Sequence, residues 1–312
     1  MAREPVSTTT TGVSGQPRTR FGRAYLRYMV EPYLYLSPAI VLIALVMLVP
    51  LFIGISYSVQ AINLLRPAQS GFVGLDNFEK LASDAHFWTA FVNTLWWTFG
   101  SVTLQFLLGL GLALLLATQF HGKRLVQALV FLPWAVPNYV TALAWKGMFH
   151  RQFGAVNALL ESLGAEPVSW FSHWTTAFSA NVATNVWLGF PFMMVVTLGA
   201  LTAIPKDVYE AAAVDGANAW QRFRLITAPM LVPFLAPAVA MGSVWTFNMF
   251  NVVFLVSGGE PDGSTEILVS EAYRWAFTRG NQYGYAAAYA VLIFLILLFS
   301  TRIAAKAAEA RA

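Results

Sequence analysis

Residues 91–120 read FVNTLWWTFGSVTLQFLLGLGLALLLATQF, a run without a single Asp, Glu, Lys or Arg. A helix rises about 1.5 Å per residue, so a run of this length more than crosses the roughly 30 Å of hydrocarbon in a bilayer. It lacks the two-residue alternation of a membrane β-strand, which leaves the helix as the structure that satisfies its own backbone in lipid. Working outward, five more stretches share this character, at about 33–59, 127–149, 178–204, 228–256 and 284–303. The pattern predicts an all-α integral membrane protein with six transmembrane helices.

Composition agrees. Apolar residues make up 57% of the 312 and charged residues 11%, with a mean hydropathy of +0.59. A soluble domain carries about 25% charged residues because it has a surface to hydrate. The absence of cysteine excludes disulfides, thiolate metal sites and cysteine catalysis. A net charge of +4 does not call for nucleic acid, because the basic residues gather beside the apolar spans. The four histidines (His86, His121, His150 and His173) are scattered over loops, and no catalytic triad, carboxylate pair or metal-ligand spacing accompanies them. Gly122-Lys123-Arg124 lacks both the upstream glycine and the Ser/Thr of a phosphate-binding loop. No catalytic residue, metal or cofactor is therefore expected in this chain.

The apolar spans divide the chain into a polar tail (1–32, disordered to about Phe21), a transmembrane domain (33–303) and a short tail (304–312). The first apolar run is too long for a signal peptide and no small-residue cleavage site follows it, so it is expected to be retained. With the N-terminus inside, thirteen Lys and Arg fall on the inner side. They are Arg3, Arg18, Arg20, Arg23, Arg27, Lys123, Arg124, Lys206, Arg222, Arg224, Arg302, Lys306 and Arg311. Six fall outside: Arg66, Lys80, Lys146, Arg151, Arg274 and Arg279. The positive-inside rule then puts both termini in the cytoplasm. Trp88, Trp96, Trp145, Trp170, Trp174 and Trp275 sit near the outer boundaries, as an aromatic belt would.

Between the fourth and fifth spans lies IPKDVYEAAAVDGANAWQRFRLITAPMLVP, residues 204–233. Pro205 and Asp207 suit the start of a helix, and Ala211, Ala212 and Ala213 suit its interior. Gly216 suits a turn with positive φ, and Asn218 with Gln221 makes a capping box for a second helix. Helix, turn and helix at the inner face fit a docking element for a cytoplasmic partner, and equally an amphipathic connector.

Glu210-Ala211-Ala212, Asp215-Gly216-Ala217, Ile226, Pro229 and Pro233 resemble the EAA loop of ABC importer permeases, with Ala228 where leucine is usual. Phe72-Val73-Gly74-Leu75-Asp76-Asn77-Phe78, Phe131-Leu132-Pro133 with Pro137, and Gly154 with Asn157 are similar to the carbohydrate-uptake members of that family. So are Phe247-Asn248-Met249-Phe250-Asn251 and Ser257-Gly258-Gly259-Glu260-Pro261. The segment from Asn185 to Met194 resembles the larger permease subunits of the maltose-transporter group, although six spans replace eight and no periplasmic domain is inserted. The resemblance covers roughly residues 30–305 and implies the type I ABC importer permease fold. Its cytoplasmic coupling loop (about 205–227) would dock on an ATPase through Glu210, Ala211, Ala212, Asp215, Gly216 and Ala217. It also implies a second permease subunit, two ABC ATPase subunits that bind ATP and Mg, an extracytoplasmic sugar-binding protein, and residence in a bacterial inner membrane.

Asn181, Asn185, Gly189 and Phe192 share one stripe of the fourth helix, and Trp245 and Asn248 one face of the fifth. Neutral amides and aromatic rings suit a sugar, through directed hydrogen bonds and stacking on C–H faces. Inter-helix hydrogen bonds and close packing at the glycine account for the same residues. The resemblance implies sugar contacts at Asn185, Leu188, Gly189, Phe192, Asn248 and Trp245, with Asn251 as an adjacent candidate. A glycerol-phosphate importer would call for Arg or Lys in the path, and a secondary transporter for intramembrane charges or repeats. The span cores contain neither.

Overall fold

The computed structural model describes residues 23–309 apart from 64, 66, 67 and 69. The expected disordered tail to Phe21, Arg66, and the last residues of the chain lie outside the described residues. The chain divides into two units, Met1–Ile53 and Gly54–Ala312. Helix α1 (Arg23–Ile43), a π-helical turn (Ala44–Leu48) and α2 (Val49–Ser58) contain the first apolar span, Val30–Ser58. The wide turn has a local cause. Pro50 cannot donate a hydrogen bond, and its ring crowds the carbonyl four residues back, at Val46 inside that turn.

In the second unit, β1 (Gln60–Ala61) and β2 (Gly71–Phe72) form a small antiparallel ribbon, which with an isolated antiparallel bridge between Asn63 and Gln282 departs from the all-α expectation. Asn77 pins it, donating from Nδ2 to the carbonyls of Ser58 at 2.9 Å and Gln60 at 3.0 Å. Helix α3 (Asp76–Ser83) leads into α4 (Ala85–Ala117), the 33-residue helix that contains most of the opening stretch.

The expected third span does not form as one helix. It is broken into α5 (Lys123–Val130), α6 (Leu132–Ala135) and α7 (Asn138–Met148). Pro133 and Pro137 are the reason: Val136, forced out of helical space by the proline after it, is extended at φ −99° and ψ 131°. Five helices, not six, are long and apolar enough to cross a bilayer among the described residues. They are Val30–Ser58, Ala85–Ala117, Trp174–Ala203, Ala219–Phe247 and Tyr283–Ile303.

After α8 (Ala155–Ser162) comes α9 (Trp174–Ala203), then α10 (Lys206–Val214) and α11 (Ala219–Arg222). A second π-helical turn (Phe223–Thr227) joins α11 to α12 (Ala228–Phe247). Pro229 crowds Leu225 in that turn just as Pro50 crowds Val46. The expected fifth span, 228–256, ends early. Asn248 turns its Nδ2 onto the Val244 carbonyl (3.0 Å) and closes α12, and α13 (Phe250–Val256) then runs through the core with Val252, Val253 and Val256 buried. Helices α14 (Leu268–Phe277) and α15 (Tyr283–Glu309) complete the chain.

Helices α4 and α9 form the central pair, and glycine sets their spacing. A Cβ on Gly109 would lie 2.7 Å from the Met193 Cβ and 2.8 Å from the Met194 amide nitrogen. Helix α12 lies against both, with Gly242 facing the Met193 side chain at 2.6 Å from where a Cβ would sit. Such approach suits helices in lipid, where dispersion contacts replace the hydrophobic drive.

The connection before α14 and that helix itself are tied by buried polar groups. Asn93 of α4 donates to the carbonyls of Ser264 (2.6 Å) and Glu266 (2.9 Å), and Thr94 accepts from the Leu268 amide at 2.9 Å. Glu266 and Glu271, both buried, pair with Arg274 and Arg279. Of the belt tryptophans, Trp88 and Trp96 are exposed, whereas Trp145 and Trp170 pack against the core.

Candidate functional site

Where α4, α9 and α12 meet the broken α6–α7 segment, they surround a cavity of about 330 Å³. Helix α9 contributes Asn185, Leu188, Gly189 and Phe192, one stripe at offsets of three and four. Helix α12 contributes Trp245 and Thr246, and α4 contributes Gln105. Non-helical backbone is tolerated at membrane depth where it lines a cavity, and Val136 and Pro137 do so.

Gln105 organises the floor. Its Nε2 donates to the Asn185 carbonyl at 2.9 Å, and its carboxamide lies so close to Gly189 that any Cβ there would collide with it. Asn185 is buried (1% exposed), and its Nδ2 has no acceptor among the described residues. A buried donor left unmatched costs about 1–3 kcal/mol, so this amide is ready to bond an incoming hydroxyl or water. Above it runs a row of rings: Trp134 stacks on Phe192 (6.2 Å between centroids) and Phe192 leans on Trp245 (5.0 Å). Trp134 and Trp245 are each half exposed, and no lining side chain is charged.

The structure brings five of the sequence-derived path residues together: Asn185, Leu188, Gly189, Phe192 and Trp245. Asn181, though on the same helical stripe, donates from Nδ2 to Ser257 Oγ at 2.9 Å and ties α9 to the 257–266 connection. Asn248 is exposed at the end of α12, bonded to its own helix, and does not line the cavity. Asn251 stands one layer back, with Nδ2 3.3 Å from the Oδ1 of Asn138, which does line it.

The second candidate site is the loop after α9. Helix α10 ends in paired bonds: the Gly216 amide donates to Ala213 O (3.1 Å) and the Ala217 amide to Ala212 O (2.9 Å). This is the Schellman closure, and it requires the left-handed φ of +80° that Gly216 adopts. Asn218 and Gln221 form the expected capping box, at 2.9 and 2.8 Å. Tyr209 fastens the element to the membrane helix through Thr227 (2.9 Å). Glu210, Ala211, Asp215 and Gly216 are exposed, with Ala212 and Ala217 half-buried.

Residues 105–312 match the family of binding-protein-dependent transport system inner membrane components. The chain belongs to that family. It is 34% identical over 269 residues to the trehalose/maltose transport system permease protein MalF of Thermococcus litoralis, covering 86% of this chain and 90% of that one. It is 35% identical over 297 residues to the maltodextrin transport system permease protein MalC of Streptococcus pneumoniae, covering 88% and 68%. Against the maltose/maltodextrin permease MalF of Klebsiella aerogenes it is 37% identical over 248 residues but spans 48% of that longer protein. A solved bacterial ABC transporter involved in the import of the acidic polysaccharide alginate shares the fold at a TM-score of 0.76 and 24% identity. That match covers 91% of this chain and 99% of the other.

As a member of this family the chain is a multi-pass membrane component of a transport system, with the ABC importer permease fold, in a family of permeases rather than enzymes. Nine lining residues were not placed in the path by the sequence, and three of them carry amide or aromatic groups. Gln105 carried a signal, being a lone amide in the middle of an apolar span. Trp134 lies between Pro133 and Pro137, whose breaking of the helix turns it inward. Asn138 opens the helix that follows.

Proposed function

We propose that this chain is the permease subunit of an ATP-driven importer and passes a sugar through the membrane. The observation that carries the reading is the cavity floor, where the unmatched amide of Asn185 lies under the rings of Trp134, Phe192 and Trp245 with no charge nearby. A sugar offers hydroxyls for the amide and C–H faces for the rings. A phosphorylated solute would call for a cation among these residues. The sugar-transport relatives named above support the same substrate class.

In this reading the chain crosses the membrane six times, the third crossing being the broken α5–α7 segment, and both termini are cytoplasmic. The domain limits are a tail (1–32), the transmembrane domain (33–303) and a second tail (304–312). The loop at about 205–227 couples to an ATPase through Glu210, Ala211, Ala212, Asp215, Gly216 and Ala217. ATP and Mg bind two partner ATPase subunits. A second permease completes the membrane domain, and an extracytoplasmic binding protein delivers the sugar.

The test is uptake across a panel of sugars by the reconstituted complex, with Asn185→Ala and Trp245→Ala. Loss of one neutral hydrogen bond at Asn185 should weaken the interaction roughly two- to tenfold. Altered sugar preference at normal complex yield supports a path role. Unchanged preference with lost yield would show that these residues only hold helices together.

A further inference from the structure

On the inner side, α4, α10, α11 and the π-helical turn surround a second cleft of about 570 Å³. Tyr209, Trp220, Arg222, Phe223, Thr227 and Leu114 line it. The Nε of Arg222 is buried and donates to nothing among the described residues, and Arg222 takes part in neither of the two ion pairs found among them. The Trp220 ring stacks on Phe223 at 5.7 Å, and Trp220 is 65% exposed. The floor is held by the hydroxyl pair of Tyr209 and Thr227, with Thr227 Oγ1 also 3.4 Å from the Arg222 carbonyl. The cleft therefore combines a guanidinium whose Nε is unmatched among the described residues with a wall that is mostly apolar and aromatic.

We propose that this cleft binds the headgroup of an anionic phospholipid of the inner leaflet. A guanidinium whose buried N–H lacks an acceptor calls for an oxyanion. The apolar wall calls for a ligand that also carries hydrocarbon. Leu114 lies in the last turn of α4, and Leu115 beside it is exposed, so the cleft opens where a bilayer's acyl chains reach the span. The lipid would sit under α10, against the Tyr209–Thr227 contact that fastens this element to the membrane helix. Occupancy would thereby stiffen the joint between the docking loop and α12. The inference rests on the cytoplasmic placement of this loop and not on the identity of the solute.

The experiment uses the purified complex containing this chain, in nanodiscs of phosphatidylcholine with phosphatidylglycerol, followed by detergent exchange and native mass spectrometry. The wild type should retain phosphatidylglycerol in preference to phosphatidylcholine. Arg222→Gln should retain about fivefold less, the factor that one basic contact near an anionic surface is worth. Arg222→Lys should keep most of the retention, and Arg224→Gln, outside the cleft, should keep it all. Wild-type retention in Arg222→Gln, or an equal loss in Arg224→Gln, would overturn the proposal. So would displacement of the lipid by inorganic phosphate, which would make the site one for free phosphate. Loss of the ATPase subunit from Arg222→Gln with lipid unchanged would instead assign the arginine to an acidic group of that partner and also overturn it. Retention is read whether or not the complex transports, so failure here is separable from failure of the transport reading.

Discussion

Gly189→Ala tests whether the floor of the cavity is set by close approach of α4 and α9. The added methyl would collide with the Gln105 carboxamide, whose carbon, nitrogen and oxygen would lie only 2.3, 2.3 and 2.6 Å from it. Backbone is not the obstacle, so the side chain can move, but only by giving up its 2.9 Å bond to the Asn185 carbonyl. Overpacking a tight interior costs about 1–3 kcal/mol, and a lost buried hydrogen bond about 1 more, giving roughly 2–4 kcal/mol in total. Gln105→Ala alone should cost the bond and its packing. The double variant should cost less than the sum of the two, because the methyl enters space the carboxamide has left. Thermal unfolding of the purified complex, followed by tryptophan fluorescence, measures all three, and uptake measures the consequence for the path. Additive losses would show that Gly189 and Gln105 do not compete for the same space, and the account of the floor would be wrong. A wild-type melting temperature for Gly189→Ala would be equally damaging.

Gly216→Asp places a side chain at a φ of +80°, which costs about 1 kcal/mol before charge is counted, and should abolish uptake while membrane insertion stays normal. Glu210→Lys should weaken ATPase association, and normal association in pull-down would remove Glu210 from the docking surface. Because the chain has no cysteine, single substitutions can report its topology, and Ser70→Cys, Leu160→Cys and Asp262→Cys should all react with an impermeant maleimide from outside. Labelling of any of them only from the cytoplasm sinks the six-crossing arrangement. Burial raises the pKa of Glu271, Arg279 opposes that shift, and Glu266 adds to it. A raised carboxyl pKa means that the folded form holds the proton more tightly. This contribution to stability is full below the ordinary value of 4.5 and is lost as pH rises through the raised folded value. Glu271→Gln should flatten that part of the pH–stability profile, and an unchanged profile would show that Glu271 is ionised throughout.

Much of this protein was legible in its residues because lipid imposes a simple rule. Each long apolar run must satisfy its own backbone, so the spans at 91–120 and 178–204 could be read as helices, with ends that the structure moves by up to six residues. The loop was legible for a local reason: Gly216, Asn218 and Gln221 act on neighbours a few positions away. Pro133 and Pro137 marked where the 127–149 run breaks, yet hydropathy alone joined it, and likewise 228–256, into spans that the structure divides. Apolar character does not distinguish a surface facing lipid from one buried in protein, and Val252, Val253 and Val256 face protein. The same limit governs the path. Helical spacing put Asn181 on a stripe with Asn185, but only packing decides which amide finds a partner: Ser257 meets Asn181, and among the described residues nothing accepts from Asn185 Nδ2. Gln105 and Trp134 join the cavity from helices distant in sequence. Their roles depend on where α4 and the broken segment are carried by close contacts such as Gly109 against Met193, and those contacts exist only once the chain has folded.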